Sequence, residues 1–252
     1  TGVQTCALPI SALAGLAPMF PSEAQRGPQS ALWAENIAFA GWLMWDDLSE
    51  QDRAFVLNML VYEADRFIGY EVPYYRDSEG RVISPDDTKA EENAWNSRIL
   101  ALAACMLPEH EHCRLWEAKL TELLLSSTAV PEDTSSERSI DGVKVRDVLR
   151  GSNINSDGTV MNHGLYHIDY MTVTIEGMTD TAIIYALSGR KIPEAAYFNH
   201  PDGLKASDWA DVNLREVQRM IGRNTTGQIF GEGENFFVSG ETYAMQNLCK
   251  AY

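Results

Sequence analysis

The chain has 252 residues, 45% of them hydrophobic and 10% aromatic, enough to build one large domain or two small ones around a sizeable core. Its net charge of −16 repels nucleic acid and anionic membranes at long range, so neither is an expected partner, and no apolar run reaches the length of a membrane span. The four cysteines include no CxxC pair and indicate neither a zinc knuckle nor a disulfide framework.

Residues 1–10, TGVQTCALPI, hold a Cys, a Pro and no charge, and run into the apolar SALAGLAPMF. A signal peptide has such an apolar core, but here no Met and no basic stretch precede it. One back-translation of the ten residues resembles a sequencing-library adapter. They are read as a non-native scar outside the fold. Residues 11–252 then form a single domain, expected to be truncated at its N-terminus and open to truncation at its C-terminus. Without Cys6, the remaining Cys105, Cys113 and Cys249 are expected to be free thiols.

Helices dominate the expected elements. SALWAENIAFAGWLMWDDL carries Trp33, Ile37, Ala40, Gly41 and Met44 at helical spacing. Ser49 is placed to cap the next helix, whose apolar face is expected to hold Phe55, Met59, Tyr62 and Phe67. A polar segment follows, then a strong helix in TKAEENAWNSRILALAACML, stopped by Pro108. After PEHEH, CRLWEAKLTELLLSS is expected to pack back on it as an antiparallel partner. A long polar loop covers residues 129–162, with VKVRDVL its one strand candidate. The next helix is expected from Asn162 to Gly189, another through residues 207–222, and a Gly-rich tail closes the chain. Helical hairpins joined by alternating short and long connections give an all-α chain.

Candidate chemistry concentrates in SDGTVMNHGLYHIDYM. A helix from Asn162 sets His163, Tyr166, His167 and Tyr170 at i, i+3, i+4 and i+7, on one face. Four side chains able to transfer protons are more than packing on one face demands. In EENAWNSRILAL, Glu92, Asn93 and Asn96 share a side of the helix opposite Trp95, Ile99 and Leu102. Asparagine is a mediocre helix former, so two of them inside a strong helix suggest amide hydrogen bonds to a loop or a ligand.

The pattern DGTVMNHGLYHIDY resembles the catalytic histidine segment of the α/α-toroid polysaccharide lyases, the group of hyaluronate, chondroitin AC, heparinase II/III-like and alginate lyases. The resemblance implies an all-α fold of antiparallel helical hairpins forming part of an incomplete (α/α)n toroid. It implies β-elimination on a uronic-acid polysaccharide, a secreted or periplasmic setting, and an Asn, a His and a Tyr at the centre. His163 matches the family His; the Tyr is Tyr170 or Tyr166, and the Asn is Asn96 or Asn93. Asn162, His167, Glu92 and Arg98 join Asn93 as the expected substrate-binding set. The chemistry suits these residue types without the family. An amide hydrogen-bonds the carboxylate as charge grows, a neutral His or ionised Tyr takes the proton, and a Tyr hydroxyl protonates the leaving oxygen. No metal or other cofactor is required by this scheme.

Two other functions remain open. A glycoside hydrolase would pair Asp86 or Asp87 with Glu92 or Asp169, and a non-catalytic helical scaffold would bind glycan or protein through its aromatics. Asn153, Asn155 and Asp157 resemble the opening of a calcium loop, but Gly164 stands where a carboxylate is needed, so an Asx-rich turn is expected. EHEHC is read as a solvated turn, and the His163–His167 pair lacks the Glu of a zinc HExxH motif.

Overall fold

The computed structural model describes residues 30–199 except 157, 158, 164 and 167, with the backbone alone at 165, 166, 168, 169, 171 and 172. The expected scar, Cys6, Cys249, the helix at residues 207–222 and the tail lie outside these residues. Among the described residues helix dominates, and strands are confined to three two-stranded antiparallel pairs. No helix among them is long and apolar enough to cross a membrane.

Helix α1, Ser30–Leu43, and helix α2, Glu50–Asp65, form an antiparallel hairpin: Ser30 Oγ donates to Glu63 at 3.1 Å, and Gly41 lies against Val56. The cap at Ser49 is as expected, its Oγ accepting from Asp52 N at 3.2 Å. The apolar faces are as expected only in part, with Gly41 and Phe67 buried. On α1 the buried side is Ala31, Ala34, Glu35, Ala38 and Gly41, while Trp33 is 58% exposed. Small residues let α1 approach its neighbours closely, and an indole does not fit there. On α2 the buried side is Val56, Leu60, Glu63 and Ala64, one residue later than expected, a rotation of about 100° about the helix axis. Tyr62 is accordingly exposed.

Helix α3, Ala90–Met106, is the centre of the core and packs against α1, α2 and two later helices. Every residue from Ile99 to Cys105 is buried, which explains its Ala- and Leu-rich sequence: small side chains alternate with large ones to fill space on all sides. Helix α4, Cys113–Ser127, returns antiparallel to it as expected. Asn93 Nδ2 reaches Ser126 Oγ at 3.0 Å at one end, and Cys113 Sγ faces Ala104 O at 3.9 Å at the other. Cys105 and Cys113 are free, buried thiols, pushed up from the usual range by burial.

The expected loop at residues 129–162 is more structured than its polarity suggests. Strand β1, Arg76–Asp77, lies before α3 and pairs with β4, Gly151–Ser152. Between them β2, Ser139–Ile140, and β3, Val143–Lys144, form a hairpin whose turn residues Asp141 and Gly142 both have positive φ. VKVRDVL is a strand only at its first two residues, since Val145–Val148 forms the short helix α5. Strand β5, Met161–Asn162, pairs with β6, Leu165–Tyr166, and helix α6, Ile168–Leu187, follows.

Helix α6 runs parallel to α3. Gly177 lies on Ala94, Ser97 and Thr181 hydroxyls meet at 3.3 Å, and Ser188 Oγ lies 3.4 Å from Cys105 Sγ. By this register the start of α3 lies beside the second turn of α6, and the first turn of α6 lies beside the residues that lead into α3. Gly189, at φ 71, ends the helix in the left-handed conformation that a glycine adopts without strain.

Candidate functional site

Two backbone links fix the β5–β6 hairpin to the start of α3: Thr88 N donates to Met161 O at 2.9 Å, and Asp87 bridges Asn162. The side chain of Thr88, fully buried, donates to Asn153 O at 2.7 Å and accepts from Ala90 N at 3.3 Å. Asn153 in turn spends its amide on Tyr75 N, Lys89 N and Ser126 O. Its side chain is a structural tie, and Asn155 closes a local turn with Thr159.

His163 is not in a helix. The expectation of one helix face from Asn162 onward is corrected by the hairpin at residues 161–166, which delays α6 to Ile168. The register leaves two residues between the paired ends, and a two-residue turn of the primed type calls for positive φ at its first position, where His163 has φ 50. The imidazole and the first turn of α6 nevertheless meet. His163 Nε2 lies 2.8 Å from the Tyr170 hydroxyl, with the rings edge to face at 5.4 Å. His163 is exposed and Tyr170 half-buried. Tyr170 lies at helical spacing with Thr174, Gly177 and Thr181, on the side of α6 that meets α3.

A histidine and a phenol in hydrogen-bond contact form a proton relay. Either the hydroxyl donates to a neutral imidazole, or an imidazole N–H donates to the phenolate, so one group can act as acid when the other acts as base. Asn162 precedes His163, is 1% exposed, and its Nδ2 has no acceptor among the described residues.

The other expected site residues are dispersed. Asn96 is buried, and two residues past Ala94 it lies about 160° round α3 from the side facing α6. Its Oδ1 has no donor among the described residues. Asn93 donates to Pro73 O and Ser126 Oγ, both at 3.0 Å, and so joins a loop to α4. Glu92 accepts from the Tyr70 hydroxyl at 3.1 Å and lies 3.4 Å from Lys89 Nζ. Burial, followed by the Glu92 charge, raises the Tyr70 phenol well above its ordinary range. His167 and the side chains of Tyr166 and Asp169 lie outside the described residues.

Arg98 lies further along α3, within a cluster of three carboxylates. Its Nη2 is 2.7 Å from Glu35 Oε2 and 3.0 Å from Asp180 Oδ2, and its Nη1 is 3.5 Å from Glu176 Oε1. Glu35 is 2% exposed; burial pushes its carboxyl up to about 7, the Arg98 charge opposes the rise, and Asp180 and Glu176 add to it. The cluster was not anticipated, although a lone Glu among the small residues of ALWAENIAFAG is the signal that points to it. Glu91 was passed over as well: it is 4% exposed, and its carboxyl is pushed up to about 8 by burial first.

In EHEHC, His110 stacks on Trp116 at 4.5 Å and His112 Nδ1 lies 2.9 Å from Asp65 Oδ1, which also accepts from Trp116 Nε1. His112 ties the α3–α4 connection to the end of α2, and His110 packs on α4 through Trp116. No protein-family model, curated protein or solved structure matches the chain.

Proposed function

We propose that the chain is part of a polysaccharide lyase that cleaves a uronic-acid glycan by β-elimination, with His163 and Tyr170 exchanging the protons. The observation that carries this reading is the 2.8 Å contact between the exposed His163 and the Tyr170 hydroxyl. In the reaction one member of the pair removes the proton on the carbon beside the uronate carboxylate. That carbon–hydrogen electron pair becomes a carbon–carbon double bond as the glycosidic carbon–oxygen bond breaks. The leaving oxygen takes a proton from the Tyr170 hydroxyl. Asn162 replaces Asn96 as the amide assigned to the carboxylate, because it adjoins His163 and its Nδ2 has no acceptor among the described residues. Its enclosure requires the hairpin to shift on substrate binding.

The (α/α)n toroid belongs to the same proposal. It is supported by two antiparallel hairpins, α1–α2 and α3–α4, and by the parallel neighbours α3 and α6. The hydrolase reading is less favoured. Asp87 and Glu92 share Lys89, with its Nζ 2.6 Å from one and 3.4 Å from the other. A cation then sits where a scissile bond between the two carboxyls would lie.

A panel of uronic-acid glycans tests the reading, because elimination leaves an unsaturated uronate that absorbs in the ultraviolet and hydrolysis does not. His163→Ala and Tyr170→Phe are each expected to lose at least ~10²-fold in kcat. Glycan cleavage without new absorbance overturns the elimination. Full elimination by both variants moves the chemistry away from this pair.

A further inference from the structure

His163 and Tyr170 are held by different supports. Tyr170 stands in the first turn of α6, and α6 is fixed to α3 by the Gly177–Ala94 and Thr181–Ser97 contacts. His163 stands in the turn of a hairpin with two residues in each strand, too small to hold a position by itself. What places that hairpin therefore decides whether the imidazole meets the phenol.

Thr88 joins the hairpin to the interior. Its N–H donates to Met161 O at 2.9 Å, and its hydroxyl donates to Asn153 O at 2.7 Å. Asn153 and Met161 are eight residues apart, so Thr88 staples both ends of the segment that leads into the hairpin. Asn153 is well anchored. It is 1% exposed, its side chain engages Tyr75 N and Ser126 O, and its own N–H donates to Ala129 O at 3.0 Å. Val160 is buried as well, but apolar contact is non-directional and does not fix the strand along its length. Asp87 bridges Asn162, but it adjoins Thr88 in the chain and moves with it. The contact being placed is exacting: a displacement of under about 1 Å takes a hydrogen bond of 2.8 Å beyond its range.

We propose that Thr88 is a positioning residue for His163. By tying residue 88 to Asn153, its hydroxyl sets the hairpin where Nε2 meets the Tyr170 hydroxyl. That hydroxyl is spent on Asn153 O and Ala90 N, so it acts through the hairpin and not on a substrate. Only the effect on turnover rests on the elimination reading; the placement of the imidazole does not.

The test is ring-nitrogen NMR of His163 in the full chain. Tyr170→Phe removes the phenol, and the change it makes in the Nε2 signal measures the contact. Thr88→Val keeps the side-chain shape and the amide link to Met161 but loses the hydroxyl. In that background Tyr170→Phe should make less than half the change that it makes in the parent. Thr88→Ser retains the hydroxyl and should retain the full change. Leu120→Ala, in the core of α4, should lower the unfolding midpoint and also retain the full change, which separates lost stability from lost placement. If the valine variant does not fold, Thr88→Ala takes its place. On a glycan that the parent eliminates, Thr88→Val should lower kcat roughly 10–100-fold with KM nearly unchanged, and Thr88→Ser should restore most of it. A parent that eliminates no glycan defeats the lyase reading, and the nitrogen signal then decides the positioning alone. The proposal is overturned if Tyr170→Phe leaves the Nε2 signal of the parent unchanged, or if the change is as large in Thr88→Val. Loss of the change in Thr88→Ser or Leu120→Ala overturns it as well.

Discussion

Glu91 enters the interior on the first turn of α3, and its Oε2 has no partner among the described residues. Its folded carboxyl, near 8, lies above the ordinary value of 4.5, so folding takes up a proton between those two pH values. Its burial costs little below about pH 4.5 and progressively more as pH rises through 8, amounting to a few kcal/mol at full ionisation. Glu91→Gln is therefore expected to be close to neutral at pH 5 and stabilising at pH 9, read as denaturant midpoints at both. An unchanged difference between the two pH values would place the titration elsewhere. His163 poses a different problem, because its turn puts an L-residue at φ 50. His163→Gly should unfold with about 1 kcal/mol more stability than His163→Ala, since glycine takes that conformation without penalty. Both lose the imidazole, so the pair separates the strain of the turn from the chemistry. At this scale the sequence was legible where a rule is local. Ser49 caps as its spacing demands, whereas His163 and Tyr170 meet across a hairpin turn and not along the single helix face that their spacing suggests. The destination of Asn96 was not legible, because a helix face is assigned only by knowing which neighbour lies on which side.

Helix α6 approaches α3 backbone to backbone at Gly177. A Cβ added there would lie 2.6 Å from the carbonyl carbon and oxygen of Ala94 and 2.9 Å from its Cβ. These atoms cannot turn aside as the end of a flexible side chain can. Gly177→Ala should cost ~1–3 kcal/mol and separate the two helices. Gly69→Ala is the control, since nothing lies within 4 Å of its added Cβ. Equal unfolding midpoints for the two variants would argue against the close contact. Periodicity was enough to find α2, α3, α4 and most of α6, because long amphipathic or apolar runs have few alternatives. It erred in phase on α2 and in composition on α1. Small residues carried the packing there, and a search for large apolar side chains passes over them. The start of α6 was misplaced for another reason: a hairpin turn and a helical turn both tolerate the sequence NHGLYH. The pairing of residues 161–166 with each other and with Asp87 decided between them.

At the largest scale, the predominance of helix among the described residues could be read from the sequence, but the parallel pairing of α3 with α6 could not. It depends on the return of the chain from the end of α4 through three small strand pairs to the start of α3. The links that hold that return join residues far apart in sequence, Tyr75 and Thr88 to Asn153, and Thr88 to Met161. The parallel pairing has an electrical consequence. Peptide dipoles in α3, 17 residues long, and α6, 20 residues long, point the same way, each leaving roughly half a positive charge at its N-terminal end. Asp87, just before α3, bridges Asn162, and Tyr170 stands in the first turn of α6, so both ends lie on the side of the imidazole–phenol pair. Glu91, in the first turn of α3, holds its proton at neutral pH and so withholds one negative charge from that end. The two helix ends thus add positive potential beside the imidazole–phenol pair of a chain with net charge −16, and the carboxylates of Asp87 and Glu92, both tied to Lys89, oppose it there.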